Sequence, residues 1–123
     1  MTERYNLVER VEKLGKSIIS FAKQIPKNTI TLPLISQFIR AGTSIGANYC
    51  EADDAESRND YIHKVGIAKK EAREAMYWTK MLVEAEPKLK NEALVIYQEA
   101  KEVNLIMNAI IRKVVANNTK TPP

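Results

Sequence analysis

Arg40-Ala-Gly-Thr-Ser-Ile-Gly-Ala-Asn-Tyr-Cys-Glu-Ala52 is the stretch on which the fold turns. It has the length and apolar spacing of a helix, yet its centre is crowded with Gly, Ala, Ser and Thr. Each glycine costs a helix interior about 1 kcal/mol relative to alanine, and Gly42 and Gly46 lie one turn apart. A helix carrying that cost gains something from close backbone approach. Arg40, Ser44 and Glu51 form a polar row along one side, because their spacings nearly superpose at 3.6 residues per turn. Small residues on one side and a polar row on another put this helix at the centre of an assembly, with neighbours on most of its faces. None of these residues names a reaction.

Helical periodicity runs outward from this stretch in both directions. Before it, Leu7, Val11, Leu14, Ile18, Phe21 and Ile25 alternate spacings of four and three, one apolar stripe of a first helix. Pro26, Asn28 and Thr29 break the pattern. Thr31-Leu32-Pro33 restarts it, with Thr suited to a cap and Pro to a first turn. The second helix then carries Ile35, Phe38, Gly42, Ile45, Tyr49 and Ala52 on its stripe. Ser57-Arg-Asn-Asp60 reads as a near capping box opening a third helix, whose face holds Tyr61, Val65, Ala68, Ala72, Ala75, Thr79 and Leu82. Glu86-Pro87 separates it from the fourth, with Leu89, Ala93, Ile96, Ala100, Val103, Met107, Ile110 and Val114 in register. No strand signal or internal repeat interrupts this order. The expected fold is all-α: an antiparallel up-down four-helix bundle over residues 1–116, with a disordered tail over residues 117–123.

At 123 residues the chain is long enough for one core and too short for two. No apolar run approaches the roughly 20 residues that span a bilayer, and the N-terminus has no signal-peptide pattern. The single cysteine, Cys50, has no internal partner, so the expected compartment is the cytoplasm. Net charge is +4 and unevenly spread: residues 1–29 carry +3, residues 30–57 carry −3 and residues 87–123 carry +3. That distribution permits nucleic-acid contact without demanding it. One bundle core does not use all the apolar residues: Trp78, Met81, Leu94, Tyr97, Ile106 and Ile111 lie partly off the stripes. Those left exposed mark a surface for self-association, with Trp78, Met81, Tyr97 and Ile111 as candidate interface residues.

The block Arg40-Ala-Gly-Thr-Ser-Ile-Gly-Ala-Asn48, followed by Glu51-Ala52, Ser57 through Asp60, Lys64, Ile67-Ala68, Lys70-Glu71-Ala72, Glu74 and Tyr77-Trp78, resembles the bacterial four-helix-bundle proteins called 23S rRNA-intervening-sequence proteins. The specific motifs span about residues 32–82; the outer helices match in length and pattern. Tyr49-Cys50 and Ala75-Met76 depart from the usual pairs at those positions. The resemblance implies a small cytosolic bundle that assembles into a closed ring, a homopentamer in typical members, with no established biochemical activity. More distant relatives, the accessory proteins of diversity-generating retroelements, bind RNA and a reverse transcriptase. The partners it implies are therefore further copies of the chain and an RNA or an RNA-binding protein such as a reverse transcriptase.

Arg40, Glu51 and Glu71 occupy the charged positions of that family pattern. They read either as a buried or half-buried ion network between the second and third helices, with Ser44 and Asn48 beside it, or as a partner site. The structural reading is preferred, and removing one member of a truly buried pair costs about 3–5 kcal/mol. Asn48, in mid-helix, is expected to bond to a neighbouring helix or subunit. Gly42 and Gly46 read as packing positions rather than ligand space. Asp60-x-x-His63 has the spacing of half a di-iron motif, but such sites need a second pair and two more carboxylates, so no metal or other cofactor is expected. Cys50 has no histidine or lysine placed to activate it, and no phosphate loop or catalytic triad can be assembled. The chain is therefore read as a non-enzyme without a small-molecule substrate or membrane partner. Trp78 beside Tyr77 could stack on bases, although core or subunit contact suits its spacing better. Lys13, Lys16, Lys23 and Lys27 share one face of the first helix. They are the candidate nucleic-acid contacts, against the alternative of a solvated face near Glu9 and Glu12. The leading expectation is an oligomeric adaptor associated with RNA or a ribonucleoprotein; the alternative is a scaffold that binds protein alone.

Overall fold

The computed structural model describes residues 3–120, with side chains from Leu7 to Asn117. Among them the chain forms four α-helices: α1 Glu3–Gln24, α2 Thr31–Asp53, α3 Arg58–Ala85 and α4 Lys90–Lys120, with a 3-10 turn at Pro87–Leu89 before the last. Each connection is short, which forces neighbours to run antiparallel. Cross-helix contacts fix those directions: Arg10 meets Glu99, Arg40 meets Glu71, and Lys69 bonds to Asn104 and Asn108.

The stripes close on one core. All six residues of the first stripe, the last of them Ile25 just past α1, and all six of α2 are buried, as are Val65, Ala68, Ala72, Ala75, Thr79 and Leu82 of α3. On α4, Ala93, Ile96, Ala100, Val103 and Met107 are buried, while Ile110 and Val114, and Leu89 in the turn before it, are half-buried. Phe21 and Phe38 meet edge to face at 5.9 Å between centroids, a favoured aromatic geometry. The α2–α3 seam is the most extensive and the α1–α4 seam the slightest.

Two details depart from the sequence reading. Thr31 does not cap α2; its buried hydroxyl donates to the Pro26 carbonyl at 2.6 Å and accepts from the Asn28 N–H at 3.0 Å. Asn28 takes the capping role instead, its Oδ1 accepting from the N–H groups of Ile30 at 2.9 Å and Thr31 at 3.0 Å. An amide three residues ahead satisfies the free helix-end donors as well as a hydroxyl at the boundary. At the other end, α4 continues through Lys120, into the segment expected to be a disordered tail. Nothing in Asn-Asn-Thr-Lys stops a helix; the first residue unable to continue one is Pro122, and residues 121–123 lie outside the described residues. Ser57 does cap α3 as expected, accepting from the Asp60 N–H at 3.0 Å.

Candidate functional site

The charged positions of α2 and α3 form two separate groups along the outer edge of their seam. In the first, Arg40 Nη1 donates to both oxygens of Glu71 at 3.1 and 3.2 Å, Nη2 reaches Glu74, and Nε donates to Gln37 at 2.9 Å. Trp78 Nε1 donates to the same Glu74 oxygen as Arg40, at 3.1 Å. Spacings of three and four residues put Glu71, Glu74 and Trp78 on one face of α3. The indole and guanidinium donors hold the Glu74 carboxyl below its ordinary pKa, the Trp78 bond being the larger cause. Burial pushes Glu71 the other way, against the pull of Arg40.

Glu51 does not join this group. It lies about three turns along α2 from Arg40 and pairs with Lys64 at 2.9 Å. The Arg40 side chain is 44% exposed and that of Glu71 15%, so in the single chain the network expected to be buried or half-buried is a half-buried ladder at the surface. The 3–5 kcal/mol expected on burial then falls to below about 1 kcal/mol. Asn48 bonds within its own helix, its Nδ2 donating to the Ser44 carbonyl at 2.8 Å, one turn back; Ser44 and Asn48 both lie half-buried.

Gly42 and Gly46 separate in role. A Cβ on Gly42 would collide with Ile18 of α1, whose Cδ1 and Cγ2 both lie inside contact distance, the latter at 2.9 Å. Gly42 leaves room for the Ile18 side chain between α1 and α2. A Cβ on Gly46 would meet only Val11, at 3.5 Å or more, an ordinary contact. Gly46 instead borders an outward groove of about 400 Å³ between α1 and α2. Its walls include Gly15, Ile19, Thr43, Ala47 and Cys50, with Ile19, Thr43, Ala47 and Cys50 exposed.

The lysine row on α1 is reduced by one. Lys27 folds back over the helix end, its ammonium donating to the carbonyls of Ile25 at 3.1 Å and Ala22 at 3.5 Å, where a cation completes the free C-terminal acceptors. Lys13, Lys16 and Lys23 are exposed. Lys16 has a 3.8 Å contact with Glu12; among the described residues Lys13 and Lys23 have no ion pair. Beside them runs the α1–α4 seam, opened by grooves of about 460 and 670 Å³ that share Lys13, Ser17, Val95 and Ile96. Val95, at its lip, is 70% exposed. Arg10 clamps the far end of the seam, donating to both oxygens of Glu99 at 2.7 and 2.8 Å and reaching Glu102 at 3.2 Å. These two carboxylates hold the guanidinium more firmly in its charged form, Glu99 more than Glu102.

The candidate interface residues lie on α3 and α4. Trp78 is tied to Glu74 and stands edge to face with Tyr77 at 4.9 Å. Met81 is half-buried on α3. Tyr97 lies on the α3–α4 side with the Lys80 ammonium 5.5 Å from its ring centre. Ile111 packs half-buried against the core. His63 and Cys50 are both exposed, and among the described residues no three His, Cys, Asp or Glu side chains converge. No described helix is long and apolar enough to cross a membrane. Sequence reading missed the Arg10 clamp and the role of Glu74. The spacing Glu71-x-x-Glu74-x-x-x-Trp78 was the available signal for Glu74; Arg10 and Glu99 had none, being 89 residues apart.

Comparison with known proteins agrees with this architecture. A crystal structure of a protein of unknown function from the S23 ribosomal protein family of Bacteroides thetaiotaomicron superposes with a TM-score of 0.78 at 32% identity, covering 85% of this chain and 97% of that one. No curated protein matches. The family profile described as 23S rRNA-intervening sequence protein matches residues 3–109, the bundle from the start of α1 well into α4, and the chain belongs to that family.

Proposed function

We propose that the chain is a non-catalytic, self-associating cytoplasmic module that engages RNA, alone or as part of a ribonucleoprotein, through the lysine row of α1. The observation that carries this reading is the exposure of Lys13, Lys16 and Lys23 along α1, while Arg10, Arg40 and Lys64 are committed to carboxylates. Three lysines on one chain are a weak phosphate surface. Repeated around an assembly of copies, such as the pentameric ring that the family resemblance implies, they become a belt whose affinity grows with each phosphate met.

Gly46 supports the assembly half of the proposal. Its missing side chain relieves no clash inside the bundle, yet it costs α2 about 1 kcal/mol against alanine. With Ala47, Thr43 and Cys50 it offers a small, uncharged helix edge that the backbone of another copy can approach closely. The Arg40 ladder borders the seam on the other side of α2, and burying it between copies would raise its worth.

The test is RNA retention by the full chain across a salt series, compared with the triple variant Lys13→Ala, Lys16→Ala, Lys23→Ala. The proposal expects binding that falls steeply with salt. In the variant the log–log slope should be shallower, by about 0.7 for each phosphate that a lysine no longer neutralises. If no RNA is retained even at low salt, the protein-only scaffold takes its place. The feature favouring that second reading is the α1–α4 groove, with Leu94 and Val95 exposed along it.

A further inference from the structure

A groove of about 370 Å³ between α3 and α4 differs in its charge from the grooves on α1 described above. Its apolar lining is Val83, Ala93, Leu94 and the ring of Tyr97, and its charged lining residues are Lys80 and Lys90 alone. No carboxylate lines it, whereas each groove on α1 mixes lysine or arginine with glutamate. Among the described residues neither Lys80 nor Lys90 is in an ion pair. The Lys80 ammonium sits 5.5 Å from the Tyr97 ring centre, a cation–π contact that holds the charge over an apolar wall. Leu94, 53% exposed, stands at the lip.

We propose that this groove binds a small amphipathic organic anion, a carboxylate on an aromatic or medium-chain aliphatic body. The volume lies at the lower end of small-ligand sites, which suits a body of that size. The carboxylate meets the ammonium groups of Lys80 and Lys90 as charge-assisted hydrogen bonds. The body covers Leu94 and lies against Val83, Ala93 and the Tyr97 face. The inference is independent of the RNA reading: none of its residues belongs to the α1 lysine row.

Calorimetric titration of the full chain with octanoate, beside 1-octanol as the neutral molecule of the same body, tests it. The expected result is saturable binding of one octanoate per chain, about tenfold weaker in Lys80→Met/Lys90→Met and lost in Leu94→Glu, with octanol failing to saturate. All three positions are exposed, so the variants keep their fold, which circular dichroism checks. Crosspeak shifts on labelled protein should gather at Val83, Leu94 and Tyr97. Absence of saturable octanoate binding, equal binding of octanol, or unchanged affinity in both variants overturns the proposal.

Discussion

The α2–α3 and α1–α4 seams are built from helices of comparable length in one bundle, yet one is closed and the other open. Along α2–α3 the buried face of α3 is mostly small, with Ala68, Ala72 and Ala75 in succession, so the backbones approach closely and the outer edge is laced by Arg40, Glu71, Glu74, Glu51 and Lys64. Along α1–α4, large side chains such as Phe21, Ile96 and Met107 fill the interior, the surfaces meet less, and the grooves beside Val95 remain. Side-chain size at a helix contact sets the distance between axes. What the difference teaches is a division of labour: the closed seam carries fold specificity, and the open seam and the outer edges are available to partners.

The sharpest way to break this contrast is to crowd the closed seam. Ala72→Leu is expected to cost about 1–3 kcal/mol by overpacking, read as a lowered urea midpoint, while Val95→Ala at the open seam should stay within about 0.5 kcal/mol. Equal losses would show that the two seams are not packed differently. Next come the glycines. Gly42→Ala forces Ile18 aside, and the strain, partly offset by a gain of about 1 kcal/mol in helix propensity, leaves a net loss near 1 kcal/mol. Gly46→Ala meets no clash and should gain up to about 1 kcal/mol in the single chain. A destabilised Gly46→Ala would place its cost in the interface between copies.

Smaller still are the ion pairs. Arg10→Ala removes a bidentate clamp that is only one-third exposed, and a loss of about 1 kcal/mol is expected. Arg40→Ala, more exposed, should cost less in the isolated chain. A loss of several kcal/mol there would mean that its ladder is buried against another copy. The smallest effect is in pH. Glu74 has a lowered pKa in the fold, so the stability it contributes is present at neutral pH and is lost as the carboxylate protonates. Glu71 has a raised one, so its contribution is present in acid and lost as pH rises through the folded value. The stability lost on acidification from about pH 7 to about pH 4 should therefore shrink in Glu74→Gln and grow in Glu71→Gln, as thermal melts would show.

The fold was legible because its signal is local and repeated. A stripe such as Leu7, Val11, Leu14, Ile18, Phe21 and Ile25 states which face turns inward without reference to the rest of the chain, and Ser57 carries its cap within three residues. The site was legible only where its spacing is local. Glu71, Glu74 and Trp78 follow a helix period, but whether Arg40 or Glu51 reaches them depends on the register of two helices, which periodicity does not encode. The Lys27 fold-back and the Asn28–Thr31 exchange were hidden for a similar reason. Several polar side chains in a tight turn can satisfy the same free backbone groups, and the geometry of the turn chooses among them.

The central claim is that the small edge of α2 faces another copy, and light scattering on the eluting full chain tests it directly. Wild type should have a mass several times the 13.9 kDa of one chain. Ala47→Arg, exposed in the single chain, should keep its helicity and fall to a single copy. A wild-type mass of 13.9 kDa, or an assembly unchanged by Ala47→Arg, would contradict it.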